Sequence, residues 1–316
     1  MVKQVRVFAP ASVANVAVGY DLLGFALEFP GDEIVARYSD HPGVRILGIE
    51  GDGGRLPTAI DQNTAGYAAH RLWQKLDRSD LGIDLFIHKK MPFGSGLGSS
   101  AASAAAAVMA VNGLLGCPLT KRECLRSAVE GEQVADGAFH ADNVAPSLFG
   151  GFTLTRCNNT LDVLSLPVPE GLCAAVVHPD IQVLTKDARG ILRQQVGLDQ
   201  CIQQMGNLGA FIAALYRSDY DLIARSLQDV IIEPQRAPMI PHFRQVQQAA
   251  LQAGALGCSI SGAGPSVFAL CQSLEQAQAC GSAMRYIFTA EGIPCDLFVS
   301  PINQQGAILL DQSEEA

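Results

Sequence analysis

Apolar residues recur at every second position in some stretches of the chain and near every third or fourth in others, and the two periods alternate along its length. Val5, Val7 and Ala9 start a strand that Pro10 is expected to stop. An apolar run occupies residues 22–27. Residues 33–38 and 44–49 read as strands separated by the turn Asp40-His41-Pro42-Gly43. In residues 63–76 the near-helical spacing of Tyr67, Leu72, Trp73 and Leu76 predicts an amphipathic helix built for core packing. Ile83, Leu85 and Ile87 alternate with polar partners in a strand over 82–88, and residues 101–111 are strong helix formers. Thr120 and Glu123 have the form of a capping box opening a helix to about residue 134. Further helices are expected at 185–195, 198–216, 243–253 and 274–291, and strands at 152–154, 174–177, on both sides of a glycine-proline loop within 258–270, and at 296–299. The tail, 311–316, is expected to fray. This mixture predicts an α+β fold. A shift in composition over 156–170, marked by Asn158-Asn159, Pro167 and Pro169, is the candidate boundary between two halves, 1–156 and 157–316.

A length of 316 residues suits two domains, and 48% hydrophobic against 17% charged residues supplies a large core. The net charge of −9 argues against a nucleic-acid or anionic-membrane surface. An anion bound here must be held by local cations and backbone amides. Nine cysteines, an odd number without a C-x-x-C pair, read as free thiols of a reducing compartment rather than a disulfide framework. The first residues alternate like a strand and lack a signal-peptide core, and the longest apolar run, 101–115, is too short to cross a bilayer. The expectation is a soluble cytoplasmic protein.

The chemistry concentrates around Pro92-Phe93-Gly94-Ser95-Gly96-Leu97-Gly98-Ser99-Ser100-Ala101-Ala102. Glycine allows close backbone approach to a ligand, and the helix that follows presents unpaired N–H groups and a dipole favouring negative charge. Strand, glycine loop and helix start together make a cradle for an anion, above all phosphate. Two familiar phosphate motifs are excluded. A Walker A loop needs a Gly-Lys pair, which the chain lacks, and in a dinucleotide fingerprint the third glycine would stand where Ser99 does. Small residues flank Asn15 and Asp21 in a close-fitting loop, where such residues serve either as turn formers or as ligands. Glu130 and Glu132 lie two apart on one helix, so at most one points inward. His140, Asp142 and Asn143 sit together before a turn. They make a weak zinc signal and suit a phosphate enzyme better, orienting a substrate or helping to hold magnesium. A second loop of small residues, Ser261-Gly262-Ala263-Gly264-Pro265-Ser266, packs close either to a ligand or to the first loop.

The glycine loop resembles the phosphate loop of the GHMP small-molecule kinases. Ala14-Asn15-Val16-Ala17-Val18-Gly19-Tyr20-Asp21 resembles the first motif of that family, and residues 261–266 its third. Within it, residues 140–146 and Glu233-Pro234-Gln235-Arg236, with the chain length, are similar to the branch that phosphorylates L-homoserine. The resemblance implies an N-terminal ATP-binding domain of ribosomal-protein-S5-like topology with a left-handed βαβ unit, and a ferredoxin-like C-terminal domain. It also implies transfer from ATP to the hydroxyl of L-homoserine, on the way to threonine, and a homodimer.

Carried residue by residue, the resemblance gives residues 92–102 to ATP, and Ser100 and Glu132 to Mg²⁺. Arg189 and Arg236, with Thr185, fall to the acceptor carboxylate, and Asn15, Asp21, His140, Asp142 and Gly262 complete the acceptor site. Asn143, Arg189 and Ser100 are the implied residues of catalysis. Asn143 stands where mevalonate-type relatives carry an aspartate proposed as base, so transfer here is expected to proceed chiefly by positioning. Val18 and Tyr20 depart from the commoner Pro and Phe of the first motif, and Phe93 is a bulky lead-in to the glycines. The competing readings are a kinase of this family acting on threonine or mevalonate, a non-catalytic nucleotide-binding relative, and a dinucleotide oxidoreductase.

Overall fold

The computed structural model describes residues 3–78 and 80–313. In chain order, β1 (Gln4–Ala14), β2 (Leu23–Ser39) and β3 (Gly43–Glu50) lead through α1 (Thr64–Lys75) to β4 (Gly82–His88). The helices α2 (Ser99–Leu114), α3 (Lys121–Asp136) and α4 (Val144–Phe149) follow, then β5 (Phe152–Cys157), β6 (Asp162–Leu166) and β7 (Cys173–Pro179). Next come α5 (Thr185–Gly190), α6 (Leu198–Arg217), α7 (Tyr220–Ser226), α8 (Glu233–Arg236) and α9 (Phe243–Gln252). The hairpin β8 (Gly257–Ile260) and β9 (Val267–Cys271), α10 (Leu274–Ala290), β10 (Cys295–Pro301) and β11 (Ile308–Ser313) complete the order.

Two sheets organise these elements. The first runs β11-β1-β2-β4-β3, with β5 beside the start of β2 and β6 beside β5. β3 and β4 are parallel and joined through α1, the βαβ unit of this layer. The second sheet, β10-β7-β9-β8, is antiparallel throughout. Numbered among themselves its strands fall in the order 4-1-3-2, with a helix before the second and after the third, which is the ferredoxin-like arrangement.

α2 shows why an alanine-rich sequence suits its position. It packs at once against β1, β2, α1, α3 and α4. Side chains of one carbon let it sit deep between them, and residues Ala101 to Ala107 are almost wholly buried. In the second sheet, Ala175 and Val177 of β7 face Phe243, Val246, Met284 and Phe288 of α9 and α10, whereas Ala174 and Val176 join the core shared with the first sheet. Both faces are covered, which explains a continuous apolar run in place of alternation. Phe25 of β2 meets Phe152 at 5.0 Å and Phe268 of β9 at 5.8 Å between ring centres, so one aromatic cluster bridges the two sheets.

Several elements differ from the sequence expectation. Pro10 does not stop β1. The strand continues to Ala14 across a register shift at Pro10/Ser12, where an irregular ladder tolerates a residue without an N–H. The helix expected over 185–195 ends at Gly190. α4, α7 and β6 were not anticipated, their apolar patterns being too short to show a period. Residues 311–313 of the tail expected to fray belong to β11, paired antiparallel with β1; residues 314–316 lie outside the described residues. The division expected at 156/157 falls inside β5, and β6 and β11 also belong to the first sheet.

Candidate active site

A cavity of about 500 Å³ collects the glycine loop, the first-motif loop, the segment before α4, the start of α5 and the β8–β9 turn. Gly94, Gly96 and Gly98 have φ of +61°, +74° and +66°. A β-carbon at Gly98 would stand 2.2 Å from Ser12 Oγ and 2.7 Å from Asn143 Oδ1, and one at Gly96 would stand 2.5 Å from the Ser261 carbonyl. These two glycines therefore serve close packing as well as a positive φ. Gly98 is the N-cap of α2 and brings no capping side chain, so the first-turn N–H groups are available to an anion.

The second small-residue loop packs on the first and, through residues 262–264, also lines the cavity. Ser261 Oγ donates to the Gly96 carbonyl at 2.6 Å, Gly262 N–H donates to the Ala14 carbonyl at 3.2 Å, and Asn15 Nδ2 donates to the Gly262 carbonyl at 2.8 Å. Asn15 Oδ1 accepts from Asp21 N–H at 3.0 Å. Asn15, Val16 and Ala17 run consecutively at φ of +69°, +42° and +58°. Such backbone costs on the order of 1–3 kcal/mol per residue, and this network holds it in place.

Beneath the loop, Lys89 and Asp32 form a buried ion pair. Lys89 Nζ also donates to Ser103 Oγ at 2.8 Å and to the Ser99 carbonyl at 3.0 Å, fixing the start of α2. Ser100 Oγ donates to Glu132 Oε1 at 2.8 Å, and Glu132 is the buried member of its pair, while Glu130 turns outward to Arg71. A hydroxyl and a carboxylate, both hard oxygen donors lining the cavity beside the glycine loop, suit Mg²⁺.

The remaining wall carries paired charges. Arg189 grips Asp21 with two hydrogen bonds of 2.9 Å. Arg236, on α8 and 3% exposed, donates from Nε to the Ala188 carbonyl and from Nη1 to the Gly262 carbonyl, each at 3.0 Å. Burial pushes its guanidinium below the ordinary value. His140 Nδ1 and Asp142 Oδ1 lie 2.5 Å apart, and ligand atoms of Asp21, His140 and Asp142 all fall within 4.8 Å of one another. The sequence offered no third partner for the His-x-Asp pair; Asp21 arrives from another loop. Asn143 Oδ1 accepts from Ser12 Oγ at 2.9 Å.

Asn15, Asp21, Glu132, His140, Asp142, Asn143, Thr185, Arg189, Arg236 and Gly262 all line the cavity. So do Phe93 to Gly96 and Gly98 to Ser100. Leu97, Ala101 and Ala102 are fully buried instead and face the core, and Pro92 is not part of the lining. Sequence reasoning missed Lys89, although a lysine pair immediately before a glycine loop was the available signal. It also gave Asn63 no place in the wall; Asn63 lines the cavity and caps α1 through Gly66 N–H.

Fold and cavity together define a small-molecule kinase of the GHMP type. Residues 63–151 match the family model for the GHMP kinases N terminal domain, and residues 211–289 that for GHMP kinases C terminal. The chain is 48% identical to a homoserine kinase of Chlorobaculum tepidum, covering 98% of each, and 44% identical to one of Xylella fastidiosa strain M12, covering 97% of this chain and 94% of the relative. A crystal structure of homoserine kinase from Cytophaga hutchinsonii superposes with a TM-score of 0.95 at 52% identity, covering 98% of each chain. A mevalonate kinase from L. major, at 18% identity and a TM-score of 0.68, shares the fold. The chain belongs to the homoserine kinase family of the GHMP kinases, which use ATP as phosphoryl donor. Among the described residues no helix is long and apolar enough to cross a membrane.

Proposed function

We propose that the protein transfers the γ-phosphoryl group of ATP to the side-chain hydroxyl of L-homoserine, giving O-phospho-L-homoserine. The observation that carries this reading is the pairing of Asp21 with Arg189 beside Arg236 in the cavity that also holds the glycine loop. A zwitterionic acceptor needs both signs of charge. Its ammonium takes Asp21 with His140 and Asp142, and its carboxylate takes Arg189 and Arg236 with Thr185, so both partners of the ion pair keep a counter-charge. Mevalonate has no ammonium and leaves these carboxylates unmatched.

The triphosphate lies on the backbone of Gly94 to Ser100 and the start of α2. Ser100 and Glu132 hold Mg²⁺, which neutralises charge on the phosphoryl oxygens when bound. Asn143 lies between the two regions: its Oδ1 approaches Gly98, and Asp142 precedes it in sequence. Ser12 takes one lone pair of that oxygen and fixes the amide, whose N–H₂ is the donor Asn143 offers the reacting oxygens. An amide nitrogen is no base. Phosphoryl transfer passes through a loose transition state: the bond from the γ-phosphorus to ADP breaks as the new P–O bond forms, the hydroxyl proton passes late to an oxygen of the transferred phosphoryl group and on to solvent, and alignment supplies most of the rate. A homodimer has its best support in the exposed apolar residues of α6, Leu198, Ile202, Met205 and Tyr216, and sedimentation equilibrium measures it.

The test is ADP release by the purified protein with ATP and Mg²⁺, offered L-homoserine, L-threonine, mevalonate or no acceptor. Strong turnover with L-homoserine alone is the expected result. ADP release that does not depend on L-homoserine overturns the reading, and full turnover in excess EDTA removes the metal from it.

A further inference from the structure

Tyr20 occupies a position that none of the roles above uses. Its hydroxyl oxygen accepts from Arg189 Nη1 at 3.0 Å and from Arg236 Nη2 at 3.5 Å. Its ring lies under both guanidiniums, 5.7 Å from that of Arg189 and 5.0 Å from that of Arg236. The side chain is half-buried and lines the cavity. A phenol has two lone pairs and one proton. With both lone pairs directed at guanidiniums, the O–H remains, and no hydrogen bond from it to a protein acceptor appears among the described residues. We propose that Tyr20 is the third member of the acceptor's carboxylate anchor, donating its O–H to a carboxylate oxygen held between Arg189 and Arg236.

This rests on the reading of the cavity as an amino-acid kinase site and names a specificity residue within it. Burial, with Asp21 second, pushes the Tyr20 hydroxyl above its ordinary value of 10.0, so it is a protonated donor at neutral pH. The same contacts keep the two arginines at fixed separation. When the ammonium of a zwitterion draws Asp21 from Arg189, the phenol oxygen still accepts from both. A bare phenyl ring would retain the stacking and lose the hydrogen bonds. Selectivity for a free carboxylate over its neutral derivatives therefore depends in part on one hydroxyl.

Tyr20→Phe tests this, compared with wild type on L-homoserine and on L-homoserine carboxamide in steady-state kinetics, with each acceptor varied at saturating ATP. The amide keeps the ammonium and the reacting hydroxyl but removes the carboxylate charge. A hydrogen bond to a charged group is worth enough for the KM of L-homoserine to rise about ten-fold or more, with kcat and the KM of ATP unchanged. The preference for carboxylate over amide should fall by the same factor as the KM rises. Equal losses on both acceptors, or a lowered kcat at unchanged KM, overturn the proposal, because they describe general damage to the site. An unchanged KM overturns it as well. Thermal unfolding of the variant with and without ATP reports whether the fold and the nucleotide site persist. The kinase reading fails separately, if wild-type protein itself does not phosphorylate L-homoserine.

Discussion

Replacing Gly98 by alanine isolates the close approach on which the phosphate loop depends. The built β-carbon falls 2.2 Å from Ser12 Oγ and 2.7 Å from Asn143 Oδ1, so both groups must retreat by several tenths of an ångström merely to reach 3.0 Å. Their mutual hydrogen bond of 2.9 Å is then lost or distorted. An L-residue held in the left-handed region costs roughly 1–2 kcal/mol, and the broken hydrogen bond about 1 kcal/mol more, for a total of about 2–3 kcal/mol. Activity should suffer more than stability. A displacement near 1 Å of a positioning group costs on the order of 100-fold in rate, and this one moves Asn143 and the start of α2 together. Gly116→Ala is the control. It has φ of +81° and no atom within 4 Å of the built β-carbon, so it carries the backbone strain without the collision. Urea unfolding gives stability and coupled ADP detection gives kcat. The expected outcome is a loss of about 1–2 kcal/mol with unchanged kcat for Gly116→Ala, and a larger stability loss with a large fall in kcat for Gly98→Ala. Equal stabilities and a kcat within two-fold of wild type for Gly98→Ala would refute the reasoning.

Three further outcomes follow from other parts of the structure. Asn143→Ala should lose most of kcat, while Asn143→Asp should show no new acidic limb in its pH–rate profile; such a limb would reinstate a base. Asp32→Asn and Lys89→Met should each destabilise by about 3–5 kcal/mol, since each strands a buried charge, and the double variant should cost less than their sum; additive urea midpoints would contradict this. Burial holds the His178 imidazole below its ordinary value of 6.5, so as pH falls through that value the unfolded chain takes up a proton that the native protein refuses. Stability is full above the unfolded value and declines as pH falls toward the native one. His178→Gln should flatten the fall in urea midpoint between about pH 7.5 and about pH 5.5, and an unchanged slope would sink the assignment.

What the sequence disclosed depended on whether a signal was local. β4 was legible to the residue because Ile83, Leu85 and Ile87 alternate between punctuating loops, and the start of α3 because Thr120 and Glu123 reciprocate as a capping box, although the helix runs on to Asp136, past the expected end near residue 134. β11 was not, since its pattern of exposed and half-buried residues has no period and its partner, β1, lies at the other end of the sequence. Likewise, most of the cavity residues inside a motif were found, although Tyr20, Ala263 and Gly264 were not. Lys89 escaped although a lysine pair marked its position, because what buries it, Asp32, lies on a strand far upstream. The contact of Tyr20 with both arginines is similarly a product of three distant segments.

The pairing of β1 with β11 also sets a timetable for synthesis. Gln4 ends opposite Ser313, so the outer edge of β1 stays without a neighbour while everything between them is translated. At about 5–20 residues per second that interval is on the order of tens of seconds. During it, a nascent chain displays an unpaired ladder of backbone donors and acceptors, the surface most prone to pair with another chain. On a crowded polysome that edge stays open to a neighbouring nascent chain until β11 emerges and pairs with it.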